Sequence, residues 1–307
     1  MRVTVAIVTY KRAWALPFSL ASIAQQTRRP DEVVVVLKPS GDGSEEVVSK
    51  FSHELPLRLV IQEEGNVTDA VSMAIANSRG DVIAFLDDDA VAEEKWVEKY
   101  MALFADPRVG GASGVTLKAY MREGFLEKTL DEFYDDTPTR YMFYRRPLPE
   151  YSDYVGWISI SGFMGMKALP SEGIFKSVLL GGVNMAWRRE AVADCPLAAL
   201  YKRSRKGLWN EQLLAYCAKR RGFDTYGVRG SQAPIVWHIA HEQSLTRGRG
   251  FWHEFWVHYD RVANYWRLKK LGARASLAAY LAACLAMLRK KPLPRLAATL
   301  YTWVARI

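Results

Sequence analysis

Asp87-Asp88-Asp89 stands directly after the apolar run 82–86. Three adjacent carboxylates at the end of a buried strand repel one another and lose hydration, so something must compensate them. A divalent cation shared with a phosphate does this, because Mg²⁺ typically takes one or two carboxylates together with substrate phosphates. The competing reading is a solvated loop whose acids cap a helix expected over 93–104. Two competing nucleotide-binding chemistries fit poorly. No Gly-x-Gly-x-x-Gly follows the first strand-like run, and no Gly-Lys-Ser/Thr phosphate loop occurs anywhere.

Four short β-branched or apolar runs, at 3–8, 33–37, 57–61 and 82–86, alternate with helical patterns at 14–25, 45–51 and 68–77. Continuous apolar strands alternating with helices predict a parallel sheet covered on both faces. Ligands of such sheets bind beyond the carboxyl ends of the strands. The polar residues at those ends are Thr9-Tyr10-Lys11-Arg12, Lys38 and the three aspartates.

The chain has 307 residues, half of them hydrophobic and 24% charged, which excludes a disordered protein. Its net charge of +9 is unevenly spread. Residues 1–194 hold 22 Lys+Arg against 28 Asp+Glu, and residues 195–307 hold 20 against 5. An acidic body joined to a basic tail points the tail at an anionic partner, nucleic acid or a membrane surface. Cys195, Cys217 and Cys284 show neither zinc nor redox spacing. They read as reduced structural residues, which favours the cytosol. The first strand begins at Val3, with no basic region and small-residue cleavage site ahead of it, so no signal peptide is expected.

The segments VAIVTYKR (5–12), SIAQQTRRPDEVVVV (22–36), GDVIAFLDDD (80–89), GGVNMAWRR (181–189) and NEQLLAYCAKRRGF (210–223) together resemble the inverting glycosyltransferases of the GT-A superfamily's family 2. They occur in the family's order, over roughly residues 1–240. The resemblance implies a Rossmann-like α/β fold whose mainly parallel sheet is flanked by helices. It implies that Thr9, Tyr10 and Arg12 line the nucleotide pocket and that Asp69 approaches the base or ribose. Asp87 and Asp89 correspond to the Asp-x-Asp pair holding Mg²⁺ or Mn²⁺, with Asp88 beside the ribose or donor sugar. Glu211 falls where the family places its catalytic aspartate. Lys38 stands next to the position where the family carries a base-contacting Asp, here Leu37. Cys217 replaces the family's Arg later in the helix that Glu211 opens.

Transfer to a hydroxyl needs a stabilised diphosphate leaving group, a base for the acceptor proton and exclusion of water. Glu211, at a helix start where the dipole keeps a carboxylate ionised, is the candidate base. His238, after the apolar run 235–237, is either a further metal ligand, as in some relatives, or a satisfied core histidine. Arg247 and Arg249 suit a clamp on the diphosphate or a contact with anionic lipid. Segment 163–180 is expected to be a flap.

From residue 251 the pattern changes. Trp252, Phe255, Trp256, Tyr259, Val262, Ala263 and Trp266 recur at helical spacing and are followed by Arg267, Lys269, Lys270 and Arg274. Such a stripe fits a membrane–water interface. Two uncharged stretches follow, at 275–288 and 296–305. As helices they span about 21 and 15 Å, against a hydrocarbon core of ~30 Å, so neither crosses a bilayer comfortably, and a short re-entrant or interfacial hairpin is expected. The alternative is a soluble helical subdomain with an aromatic core.

The expected organisation is a GT-A domain over 1–245, with a nucleotide-sugar half (1–115) and an acceptor half (116–245). An interfacial helix and short apolar hairpin, associated with a membrane, occupy 246–307. The expected activity is metal-dependent inverting transfer at the cytoplasmic face of a membrane, from a GDP- or UDP-sugar to a lipid-linked glycan or other membrane-held acceptor. Likeness to membrane mannosyltransferases favours GDP-mannose. The alternatives are a polyprenyl-phosphate sugar synthase and a catalytically dead membrane- or nucleic-acid-binding protein. Nucleic acid is disfavoured because it leaves the charge-free C-terminal stretches unexplained.

Overall fold

The computed structural model describes residues 1–134, 142–241, 248–289 and 291–305. The first part alternates as expected: β1 (Val3–Thr9), α1 (Leu16–Ala24), β2 (Glu32–Leu37), α2 (Ser44–Phe51), β3 (Leu57–Ile61), α3 (Val67–Asn77) and β4 (Val82–Leu86). β1 pairs in parallel with β2 and β4, and β2 with β3. Val3, Val5 and Ile7 pack with Leu16 and Leu20 of α1, whereas Ala6 faces Ala70, Val71 and Ala74 of α3. Both strand faces are therefore buried, which is why the runs are continuously apolar rather than alternating.

After Asp89 the chain departs from expectation. Ala90–Ala92 forms a short strand, β5, and the helix α4 starts only at Trp96 and ends at Leu103. The three aspartates precede a strand, so the helix-capping reading fails.

The next elements are β6 (Val109–Ser113), β7 (Val115–Arg122), β8 (Phe125–Glu132), α5 (Met142–Arg145), β9 (Gly156–Ile158), β10 (Met164–Met166), β11 (Gly173–Lys176) and β12 (Asn184–Arg188). They are followed by α6 (Arg189–Val192), α7 (Leu197–Tyr201), α8 (Asn210–Arg220), β13 (Asp224–Arg229) and β14 (Ile235–Ile239). The main sheet has eight strands in the order β11-β13-β6-β12-β4-β1-β2-β3. β12 runs antiparallel between β4 and β6, and β11 closes one edge antiparallel to β13. The sheet is thus mixed, its parallel half built by the first 86 residues. The expected flap at 163–180 instead contributes β10 and the edge strand β11. A second sheet, β5-β14-β7-β8, brings β14 against β5 and so beside the aspartates.

Cys195 and Cys217 form a disulfide, with Cα atoms 5.8 Å apart, and Cys284 is free and buried. This corrects the expectation of reduced cysteines and removes the cysteine-based argument for the cytosol. Widely spaced cysteines carry no pairing signature; here the fold brings the α6–α7 junction against α8. The crosslink separates its partners by 22 residues. A loop of that length is worth about 3 kcal/mol in chain entropy. Reduction is expected to lower Tm by on the order of 5 °C. Differential scanning fluorimetry with and without reductant checks this, and a Cys195→Ser variant is expected to start at the lower Tm and ignore reductant.

The chain ends in α9 (Phe251–Lys270), α10 (Leu277–Met287) and α11 (Pro292–Val304). Among the described residues no helix is long and apolar enough to cross a membrane. The aromatic stripe of α9, expected at an interface, is largely internal. Phe255, Tyr259 and Ala263 pack on Ala298 of α11, and Val262, Tyr265 and Leu268 join the main core. Arg267 is fully buried. It donates to Asp260 (2.9 Å), Asn264 (2.8 Å) and the Leu200 carbonyl (3.1 Å), and its guanidinium lies over the Tyr201 ring. Periodicity identified the helix face but not its cover, which is α11 for part of the stripe and the main core for the rest.

Candidate active site

The carboxyl end of β4 carries Asp87, Asp88 and Asp89. The backbone there is held by Ser19, whose hydroxyl donates to the Asp87 carbonyl at 3.3 Å, and by the Ile239 N–H, which donates to the Asp89 carbonyl at 2.8 Å. The second contact ties β14 to the acidic turn. His238, within β14 rather than after it, places Nε2 3.1 Å from Asp89 Oδ1. His241 places Nε2 2.6 Å from Asp89 Oδ2. Arg12 Nε lies 3.4 Å from Asp89 and 3.7 Å from Asp88. Phe133 packs 4.4 Å from the His238 ring, and Trp14 meets His241 edge-on at 5.4 Å.

The three acids respond differently. Burial, then the charge of Asp89, pushes Asp87 up to about 6 against the pull of His238 and Arg12. Burial and Asp89 raise Asp88 further. Burial would raise Asp89 as well, but the two histidines and Arg12 hold it well below the ordinary carboxylate range. Asp89 is thus the fixed anion of the cluster. One ligand atom each from Asp87, Asp89 and His238 lies within 4.8 Å of the others. Two carboxylates and an imidazole are a donor set that suits a divalent cation. Such a cation would counter the burial and the Asp89 charge that raise Asp87.

Glu211 opens α8, whose entry is fixed by an unusual backbone: Trp209 has φ +60°. Asn264 of α9 donates to the Trp209 carbonyl at 3.3 Å, and Arg261 lies over the Trp209 ring. Burial pushes Glu211 up to about 7, with Asp87 adding to the rise while its own backbone N–H opposes it. Gly182, just before β12, makes room for it: a Cβ there would lie 2.5 Å from Glu211 Oε1. Gly182→Ala is therefore expected to push the Glu211 carboxylate aside. It should reduce turnover roughly tenfold or more, with Tm nearly unchanged because the displaced group is a flexible side-chain end. Steady-state kinetics with a thermal melt check both halves.

Tyr134 was not foreseen. Its ring lies against Gly181 although 41% of the residue is exposed, and the charges of Asp87 and Glu211 favour its protonated phenol. His241 was also missed, although the spacing His238-Ile239-Ala240-His241 was a visible signal. The remaining expected residues form a rim at the ends of β1 and β2. Thr9 lies beside Asp88, and Tyr10 is exposed beneath the Lys38 ammonium at 5.9 Å. Lys38 donates to the Gly65 carbonyl at 2.7 Å. Asp69 accepts the Asn66 N–H at 2.8 Å, completing the N-terminal capping box of α3. Arg249 is exposed just ahead of α9, with no contact to the acidic cluster among the described residues. Arg247 lies outside the described residues.

Comparison with known proteins agrees with this layout. The Glycosyl transferase family 2 domain matches residues 4–172. Glycosyltransferase AglE of Haloferax volcanii is 24% identical over 193 residues, covering 62% of this chain and 60% of that protein. The mannosyltransferase PcManGT of Pyrobaculum calidifontis, solved with GDP-Man and Mn²⁺, superposes at a TM-score of 0.53 with 18% identity over 98% of this chain and 87% of its own. S. aureus TarS gives a TM-score of 0.54 at 16% identity, over 91% of this chain but 41% of that one. These superpositions establish a shared GT-A-like α/β fold. The chain spans less than two thirds of the length of AglE and of TarS. With the family domain matched over more than half its length, the chain belongs to glycosyl transferase family 2.

Proposed function

We propose that this protein transfers a glycosyl group from a nucleotide-sugar to a hydroxyl of a lipid-linked or other membrane-held glycan, with inversion. The observation that carries the proposal is the placement of Glu211 in the electrostatic field of Asp87, which itself belongs to the Asp87–Asp89–His238 donor set. Asp87, Asp89 and His238 would hold Mg²⁺ or Mn²⁺. When bound, the ion neutralises charge on the departing nucleoside diphosphate.

The chain's own groups do the rest. Tyr10, Arg12, Lys38 and the Gly65–Asp69 turn supply the rim against which a nucleoside sits. Arg12, which lies beside Asp88 and Asp89, would contact donor oxygens. Glu211 takes the acceptor proton as the hydroxyl attacks the anomeric carbon, and a single displacement inverts that centre. A carboxylate raised to about 7 is matched to removing a proton near neutrality. This favours a hydroxyl acceptor over a polyprenyl phosphate, which is already ionised and needs no base.

The donor is proposed to be GDP-mannose, a choice supported by the fold likeness to a mannosyltransferase solved with GDP-Man. TarS solved with UDP-GlcNAc keeps UDP-sugars as the competing donors. Thermal shift with Mn²⁺ and a nucleotide-sugar panel tests the reading, since ligands that bind the native state raise Tm. GDP-mannose with Mn²⁺ is expected to give the largest rise. A larger rise with a UDP-sugar reassigns the donor. No shift with any donor, together with no metal-dependent transfer or donor hydrolysis, overturns the function.

A further inference from the structure

The C-terminal helices leave one surface that the catalytic reading does not use. Both α10 and α11 turn one face inward onto α9. Tyr280 stacks on Tyr265 at 4.2 Å, and Ala298 packs with Phe255 and Tyr259. α11 runs parallel to α9, since Lys291 and Arg295 pair with Glu254 at one end and Trp303 meets Trp266 at the other. With these faces satisfied, the opposite faces carry leucines in open solvent. On α10 these are Leu277, Leu281 and Leu285 at a spacing of four, with Leu285 69% exposed. On α11 they are Leu293, Leu296, Leu300 and Val304, with Leu293 73% and Val304 77% exposed. Stripes at i, i+4, i+8 on α10 and at i, i+3, i+7, i+11 on α11 each lie on one side of a helix. Exposed apolar stripes of this kind mark an interaction site.

Charge says what that site meets. Residues 261–307 contain ten Lys+Arg and no Asp or Glu. The exposed cations bracket the leucines: Lys269, Lys270 and Arg274 precede α10, and Arg289 and Lys291 separate it from α11. A protein partner would need a matching acidic rim around an apolar groove, whereas an anionic bilayer offers negative headgroups above hydrocarbon across a flat face. We propose that α10 and α11 lie in the plane of an anionic lipid surface, with these leucines entering the acyl boundary and the flanking cations at the headgroups. The membrane-facing element is then the outer face of this hairpin and not the buried stripe of α9. The proposal deepens the reading of a membrane-held acceptor and rests on it for its purpose.

Flotation of the full chain with vesicles tests it, with donor hydrolysis in solution measured in parallel. The wild type is expected to float with equal parts phosphatidylcholine and phosphatidylserine, and more weakly with phosphatidylcholine alone or at high salt. A Leu285→Gln/Leu293→Gln/Leu300→Gln variant should lose at least about tenfold in partitioning, because each leucine removed forfeits apolar transfer free energy, with Tm and hydrolysis unchanged. An Arg274→Gln/Arg289→Gln variant should lose only the phosphatidylserine-dependent part. Wild-type protein that stays in solution, or a triple-leucine variant that floats equally well, overturns the proposal. So does a concentration-dependent dimer broken by the same leucine substitutions, which would give the face to a second copy. Flotation without any donor hydrolysis leaves the docking face standing and removes the transfer reading instead.

Discussion

Asp89→Asn is expected to lower transfer by a factor of roughly 10³ or more, because charge stabilisation of a leaving diphosphate by a bound ion is worth several kcal/mol. Asp89 is singled out by its surroundings. It is the acid of the triplet that His238, His241 and Arg12 keep ionised, while Asp87 and Asp88 are pushed toward their neutral forms. An amide there offers a neutral oxygen and loses the charge that a divalent ion needs. The fold should survive, since the backbone bond from Ile239 to the residue-89 carbonyl does not involve the side chain. Two measurements bear on it: transfer rate, and the rise in Tm caused by Mn²⁺ alone. Both are expected to vanish in the variant while its metal-free Tm stays within a few degrees of wild type. Transfer within tenfold of wild type, or an unchanged Mn²⁺ shift, would remove Asp89 from the metal site.

The parts of this molecule that could be read from sequence share one property: each carries its pattern within its own segment. β3 and β4 run over 57–61 and 82–86 as expected because a fully buried parallel strand must be continuously apolar. β5 was not legible. Three residues, Ala90–Ala92, carry too little pattern, and they are a strand only because β14 arrives from far along the chain. The same long-range delivery hid His241, whose partner Asp89 lies 152 residues away. Arg12 was expected at the nucleotide. Its place between two carboxylates depends on β1 and β4 ending side by side. In α9 the amphipathic period was visible, but a stripe of tryptophan and tyrosine reads alike against lipid or protein. The buried Asp260–Arg267 pair inside that helix decides for protein, because it is satisfied by Ser204 and the Leu200 carbonyl from outside α9 and by Asn264 within it.

Glu211→Gln separates catalysis from stability. A general base contributes typically 10²–10⁴ in rate, so turnover is expected to fall by about 10³ while donor binding, followed by thermal shift, is retained. The wild-type rate should rise with pH along an acid limb as Glu211 ionises. That limb belongs at or below about 7, because a cation held by Asp87 would cancel part of the charge that lifts Glu211. The variant should show no such limb. The sign for stability is opposite. Glu211 titrates higher in the folded chain than its ordinary 4.5, so between pH 4.5 and about 7 the folded state keeps a proton that the unfolded chain has released. Stability therefore falls as pH rises through that window, by at most about 3 kcal/mol. Glutamine carries no charge to desolvate, and the metal-free variant should melt higher than wild type at pH 8 and equally at pH 4. A variant that gains stability at pH 8 but loses transfer marks a strained, ionised base. Near-normal transfer by the same variant would show that the acceptor brings its own negative charge and is a phosphate. A lower Tm at pH 8 would show that ionised Glu211 is satisfied by contacts stronger than its own backbone N–H.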